Sequence, residues 1–432
     1  MRTKFVVSMV VIAAAVAGTA LLVLFVRSTY PTIMVWGGGP ILHDESLAVE
    51  LVAEGLDLPT SMRFLDDRTL LVLEKNKGQV RVVLDGKLLE EPAIQAEVAT
   101  GPEQGLLGIA IWNGKNDNNT TTSSVFLYLT QAYQGNTRNL VYKYLYDENE
   151  RTLENRTLIL DLPGEPGPFH NGGKIAIGPH DGYIYAAIGD VSSGGGMLDN
   201  QIPGVPADDK SVILRADRDT GAPLEDNPFY NHNYTGDREK LQRYYAYGIR
   251  NSFGMDFEPV TGKLWITENG DDVYDEINIA EPGFNSGWHK IMGPMGRTNM
   301  TVENDLIIFD GAKYQDPIFS WYTPVGVTDI EFLNSTKLGE KYRGNLFVGD
   351  INNGNLYFFE VNRDRTGIIF QDPRLFDLVA DPVKKGDVSE LSSLILGEGF
   401  RRITDIETGP DGLLYILTYE DGKIYRITKS TS

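Results

Sequence analysis

The 432-residue chain contains no cysteine. That excludes disulfides, thiolate zinc sites, iron–sulfur clusters and a cysteine nucleophile. Five histidines are few for a multi-histidine metal centre. Basic side chains are scarce beside acidic ones, 39 against 60, for a formal net charge of −21. The global field therefore repels phosphate, and no nucleic-acid partner is expected. Amphipathic helical periodicity is nearly absent, with no long stretch carrying a capped 3.6-residue pattern. What the chain does have is an ordinary hydrophobic fraction of 41%, which excludes wholesale disorder. Its 46 glycines and 21 tyrosines suit a turn-rich, all-β chain.

Only one long apolar run occurs. Arg2 and Lys4 precede it, and it extends from Phe5 to Val26, about 22 residues and enough for one helical crossing. Its small residues lie inside the run, not after it, which favours an uncleaved signal anchor over a cleaved peptide. The basic flank predicts that everything after Arg27 faces outward. Residues 1–28 are thus expected as a single-pass transmembrane helix, 29–45 as a stalk and 46–430 as an extracytoplasmic domain at the cell membrane. Glycosylation sequons at Asn118, Asn119, Asn155, Asn233, Asn299 and Asn334 agree with a glycoprotein, although such triplets also arise by chance.

A repeat organises the body. A turn followed by an apolar-aromatic strand recurs at 69–73, 125–129, 183–187, 263–267, 345–349 and 413–417. Each is followed by a second alternating strand, at 79–83, 140–144, 212–216, 276–280, 355–361 and 423–427. Several first strands follow explicit turn chemistry, as in Pro179-His-Asp-Gly182 and Pro410-Asp-Gly412. Six such pairs, roughly 55–85 residues apart, predict a six-bladed β-propeller. A β-sandwich with unrelated hairpins is the alternative. The C-terminal strand is expected to close the ring beside a strand at 47–52. Function in such a fold lies in loops.

Three loops carry possible chemistry. In Pro166-Gly-Pro-Phe-His170-Asn-Gly-Gly173, His170 is a candidate general base or a surface histidine without a role. In Tyr247-Gly-Ile-Arg250-Asn251-Ser-Phe-Gly254, Arg250 and Asn251 offer a cation and amide donors to anionic or quinone oxygens, or Arg250 staples neighbouring blades. In Glu268-Asn-Gly270-Asp271-Asp272-Val-Tyr-Asp275-Glu276 the hard oxygens suit Ca²⁺, or the loop is only solvated and acidic.

Taken in order, these stretches resemble the glucose/sorbosone dehydrogenase family of soluble-type quinoprotein aldose sugar dehydrogenases. Glu103-Gln-Gly-Leu-Leu-Gly108, Ile188-Gly-Asp190, Asp275-Glu-Ile-Asn278, Pro282-Gly-Phe-Asn-Ser-Gly-Trp288 and Gly409-Pro-Asp-Gly-Leu-Leu-Tyr415 extend the likeness over most of residues 46–428. The resemblance implies a six-bladed propeller that binds pyrroloquinoline quinone and Ca²⁺ and oxidises a sugar or related alcohol. It implies His170 as base and Arg250 and Asn251 against the cofactor's carbonyl oxygens. It further implies Asn269 and Arg402 as cofactor contacts, and the carbonyls of Gly270 and Asp271 as metal ligands. Glu103, Asp190 and Trp321 fall at substrate-pocket positions. An electron acceptor in or near the membrane is expected.

Two departures stand out. A family lysine aligns with Asn352, and a second cofactor-binding arginine aligns with Thr404. A tri-carboxylated cofactor would thereby lose two cations, each worth roughly 1.5–3 kcal/mol as a charge-assisted hydrogen bond. Arg401, Lys313 and Lys384 are the candidate replacements. The missing cations favour a rival reading, a non-catalytic propeller binding a glycan or protein; a Ca²⁺-dependent lactonase-type hydrolase is the third.

Overall fold

The computed structural model describes residues 39–115, 121–193, 195–231, 238–382 and 389–430. Every hairpin read from the repeat is present, as the second and third strands of six separate sheets. The strands missing from the sequence reading are the first ones and the outer ones other than Leu47–Glu54. The six first strands are Pro59–Phe64, Leu106–Lys115, Ile175–Ile177, Gly254–Phe257, Val327–Phe332 and Ile403–Thr408. Each packs against the first strand of the next sheet, and Ile403–Thr408 packs back against Pro59–Phe64, so they form a closed circuit. The architecture is an all-β propeller. Strand Leu47–Glu54 pairs antiparallel with the C-terminal strand Lys423–Lys429, the closure expected from the sequence.

The second strands read as continuous apolar runs because both of their faces are buried. In Thr69–Glu74, Leu71 and Leu73 point into a core shared with the second sheet, and Leu70 and Val72 into one shared with the sixth. The same arrangement recurs around the ring, giving one hydrophobic core between each pair of neighbouring sheets. The turns behave as their chemistry predicts. Asp411 accepts from Leu413 N at 3.1 Å and from Tyr415 Oη at 2.9 Å, and Asp181 does the same for Tyr183 N and Tyr185 Oη.

Three of the six first strands, Gly254–Phe257, Val327–Phe332 and Ile403–Thr408, carry acids that tie them to the next sheet. Asp256 Oδ2 accepts from Phe332 N at 2.8 Å, Asp329 Oδ2 from Ile406 N at 3.0 Å and Glu331 Oε1 from Thr408 N at 2.9 Å. Asp405 Oδ2 continues the pattern to Met62 N at 2.5 Å. Each carboxylate thus satisfies a backbone donor on the next sheet. Lys174 lies among them, 2.6 Å from Asp329 and 2.7 Å from Asp405, and Arg63 pairs with Glu407.

The expected transmembrane helix and sequons Asn118, Asn119 and Asn233 lie outside the described residues. Among the described residues no helix is long and apolar enough to cross a membrane. Asn155, Asn299 and Asn334 are exposed.

Candidate functional site

Antiparallel topology gathers the candidate residues at one end of the channel. The start of each first strand and the turn between second and third strands necessarily lie at the same end. His170, Arg250, Asn251, Glu103 and Arg402 precede first strands, while Asp190, Asn269, Gly270, Asp271 and Asn352 occupy second-to-third connections.

His170 is the centre of the arrangement. Its Nδ1 lies 2.6 Å from Asp190 Oδ1. Asp190 is itself held by Ser192 N at 2.8 Å and by the indole Nε1 of Trp288, which donates to Oδ2 at 3.1 Å. The His170 backbone sits in the left-handed region at φ 59°, a costly conformation for a residue with a Cβ. Hydrogen bonds on both sides hold it there: His170 N donates to Glu103 Oε2 at 2.6 Å, and Val191 N donates to His170 O at 3.3 Å. Gly189 admits the approach of the two loops, since a Cβ there would lie 2.4 Å from Arg250 O and 2.7 Å from His170 O.

Arg250 is fixed by its surroundings. Its backbone N donates to Glu268 Oε1 at 2.8 Å, Nη1 donates to Asn269 O at 3.3 Å and Nη2 reaches Asp271 Oδ1 at 3.0 Å. The guanidinium carbon stands 5.3 Å from the Trp288 ring centre, within cation–π range. Its Nε is buried and has no hydrogen-bond partner among the described residues, and the same holds for Asn171 Nδ2 beside His170.

Asn251 and Glu103 join these loops. Asn251 Nδ2 donates to Glu103 Oε2 at 3.0 Å and its Oδ1 accepts from Gly172 N at 3.1 Å. Burial pushes the Glu103 carboxyl above its ordinary value, against the opposing influence of His170, Asn251 and Arg250. Behind Arg250, burial pushes Glu268 up to about 7, against hydrogen bonds from Ser286 and Arg250 N.

Glu103 also lines a central cavity of about 260 Å³, together with Lys75, Lys174, Arg402, Thr404 and Asp405. Thr404 Oγ1 donates to Pro59 O at 3.0 Å, so its hydroxyl proton is engaged in the wall. Arg402 has φ 63° and a half-exposed side chain 3.8 Å from Glu420. Asn269 Nδ2 donates to Val327 O at 2.8 Å. Gly270 N donates to Asp275 Oδ1 at 2.9 Å, and Asp271 is exposed except for its pairing with Arg250.

Two expected positions, Trp321 and Lys313, fall elsewhere. Trp321 is fully buried and packs on Phe319, Tyr357 and Phe359, a place in the core between sheets instead of on a pocket wall. Its aromatic neighbours make it a packing residue. Asn352 stays at the loop end of the channel, exposed, with its N bonded to Val325 O at 3.2 Å; like His170, Arg250 and Asn251 it does not line the central cavity. Lys313 lies in the edge strand of the third sheet, farthest from the first strand, and Lys384 is outside the described residues. Trp288, Glu268 and Lys75 carry no signal of a role in the sequence, although the first two stand within recognisable motifs. Only after folding do these side chains meet the loops of other sheets.

Among the described residues, Asp329, Asp405 and Glu407 form a carboxylate group close enough to hold a metal. The Lys174 ammonium already sits against two of them and the Arg63 guanidinium against the third. Two cations of the chain itself therefore already occupy the place a metal would take.

The family model for Glucose / Sorbosone dehydrogenase matches residues 56–426. The aldose sugar dehydrogenase YliI of Escherichia coli K12 is 26% identical over 388 residues, covering 88% of this chain and 92% of its own. A solved oxidoreductase of Thermus thermophilus, also named a glucose dehydrogenase, is 27% identical. It covers 88% of this chain and 99% of its own, with a TM-score of 0.66. The PQQ-bound aldose sugar dehydrogenase of Streptomyces coelicolor is 23% identical, covers 90% of this chain and 99% of its own, and shares the fold with a TM-score of 0.64.

Proposed function

The chain belongs to the glucose/sorbosone dehydrogenase family, and from that premise we propose that it is a quinone-dependent sugar dehydrogenase. Its substrate is an aldose or related alcohol, and the six sheets serve as the six blades that carry its loops. The observation that carries this reading is the 2.6 Å His170–Asp190 pair beside Arg250, whose buried Nε has no partner among the described residues.

The residues fit the cofactor and metal that the family uses. Arg250 Nε is a buried donor without an acceptor among the described residues. Among the described residues no hydrogen bond ends on the carbonyls of Gly270 or Asp271, the oxygens proposed to hold Ca²⁺. Arg250, Asn251, Asn269 and Arg402 would hold the quinone. When bound, pyrroloquinoline quinone supplies a two-electron acceptor for the hydride leaving the substrate carbon.

The chain's own part is proton handling and orientation. With Nδ1 protonated and donating to Asp190, His170 presents the lone pair of Nε2, which takes the substrate hydroxyl proton. Asp190 fixes that tautomer and stabilises the imidazolium that results, as a buried carboxylate does for a catalytic histidine. Trp288 and Ser192 keep Asp190 in place. Arg250, braced by Asn269 O, Asp271 and the Trp288 face, presents a fixed positive charge where negative charge develops.

We also propose that residues 1–28 anchor the chain in the cell membrane, with the propeller outside on the 29–45 stalk and the electron acceptor in or near the membrane. The apolar run from Phe5 to Val26 supports this. The test of the enzymatic reading is reconstitution with Ca²⁺ and pyrroloquinoline quinone, followed by dye-linked oxidation over a panel of aldoses. Sugar-dependent dye reduction that requires the quinone is expected. No turnover and no quinone uptake by absorbance would refute it.

A further inference from the structure

We propose that Lys75 is the principal anion-binding residue of the central cavity and that, with Arg402, it holds a carboxylate of the quinone cofactor in place of the cations absent at Asn352 and Thr404. This rests on the quinone-dependent reading above.

Three cationic side chains line the cavity: Lys75, Lys174 and Arg402. Two carboxylates within 2.7 Å compensate Lys174. Arg402 is loosely paired with Glu420 at 3.8 Å, both about half exposed. Lys75 differs from both. It is 5% exposed, and its Nζ donates to Gly101 O at 2.7 Å and Asn76 Oδ1 at 3.0 Å, both neutral acceptors. Among the described residues no carboxylate lies within ion-pair distance of it, and one ammonium proton remains for a ligand. Burying an ammonium without a counter-charge is unfavourable. Burial indeed pulls Lys75 below the ordinary lysine value, with the charge of Glu103 opposing.

The position is also rigid. Lys75 occupies the turn between strands Thr69–Glu74 and Gln79–Leu84. Its carbonyl accepts from Leu106 N at 2.9 Å. A Cβ at Gly105, where φ is 144°, would lie 2.6 Å from Lys75 O and 2.7 Å from Lys75 Cγ. Glycine at 105 thus lets the first-strand loop clamp the lysine stem against the cavity. The neighbouring hydroxyls cannot replace it. Thr60 Oγ1 donates to Leu106 O at 2.8 Å and Thr404 Oγ1 to Pro59 O at 3.0 Å, so both protons point into the wall.

The test is fluorescence titration of the full chain with pyrroloquinoline quinone in Ca²⁺, at several salt concentrations. Lys75→Met should weaken binding about 10- to 100-fold, the loss of one charge-assisted contact, and flatten its salt dependence. Lys75→Arg should bind like the parent chain, and Lys87→Met, an exposed lysine far along the same sheet, should change nothing. Thr404→Arg in the Lys75→Met background should restore affinity. Lys75→Gln serves as the second neutral variant if the methionine variant does not melt cooperatively. Parent-like affinity and salt dependence in the neutral variants would overturn the inference while leaving the enzymatic reading intact. If the parent chain binds no quinone, the cofactor reading falls. Calorimetry with pyridine-2,6-dicarboxylate then decides the anion site: heat lost on Lys75→Met retains it, and no heat with the parent chain overturns it.

Discussion

Two clusters of charge line the channel, and their partnering separates them. In the first-strand belt every cation is matched. Lys174 faces Asp329 and Asp405, Arg63 faces Glu407, and the carboxylates cap backbone donors of the next sheet. Burial works against the Lys174 ammonium, but the adjacent Asp329 and Asp405 outweigh it and hold it above its ordinary value. In the loop cluster at one end, Arg250 Nε and Asn171 Nδ2 have no partner among the described residues, and His170 pairs with Asp190 through Nδ1 alone. Perturbed titration alone would nominate the belt as the active centre. Among the described residues the two clusters differ in what is left without a hydrogen bond, which is carboxylate oxygens of Asp329 and Glu407 in the belt and the donors Arg250 Nε and Asn171 Nδ2 in the loops.

The sharpest way to break this contrast is to remove the central group of each cluster. His170→Ala should lower dye-linked turnover by about 10²–10⁴ with an unchanged melting temperature. A belt residue behaving in that way would erase the distinction. Lys174→Met should do the reverse, costing about 3–5 kcal/mol of stability because two buried carboxylates lose their counter-charge, as read by urea denaturation. Trp321→Ala should cost a similar 3–5 kcal/mol as a core cavity, and any activity loss should follow the loss of folded protein, with KM unchanged in what remains folded. A smaller effect is expected for Trp288→Phe, which deletes the hydrogen bond to Asp190. It should lower turnover by about 1–3 kcal/mol in activation free energy and leave the denaturation midpoint nearly unchanged.

The belt also sets a pH dependence. Burial pushes Glu331 up to about 8, so it is protonated in the fold where the unfolded chain has already ionised. Its stabilisation is complete below about pH 4.5 and is lost as pH rises through about 8. Asp405, held at about 2, titrates below that window. The urea midpoint should fall between pH 5 and 8, and Glu331→Gln should flatten the slope.

The contrast also explains what could be read in advance. The second and third strands were legible because burial on both faces makes them apolar throughout, as in Leu70–Leu73. The first strands Val327-Thr-Asp-Ile-Glu-Phe332 and Ile403-Thr-Asp-Ile-Glu-Thr408 were not, because they place ionisable groups where a buried strand normally shows none. Their repetition of Thr-Asp-Ile-Glu was the available signal. That His170, Arg250 and Asp190 come together was legible from motif order. Lys75 was not, because a lysine in a hairpin turn is ordinarily solvated, and only the approach of the Gly105 loop buries it. Trp321 stood beside a recognisable loop, but its strand turns the indole into the core.

The most direct test of the central claim is single-turnover reduction of bound quinone by an aldose deuterated at C1, comparing the parent chain with His170→Ala. The parent chain should show rapid reduction with a primary isotope effect, and His170→Ala should bind quinone normally yet reduce it at least about 100-fold more slowly. Equal reduction rates in the two proteins would contradict the account.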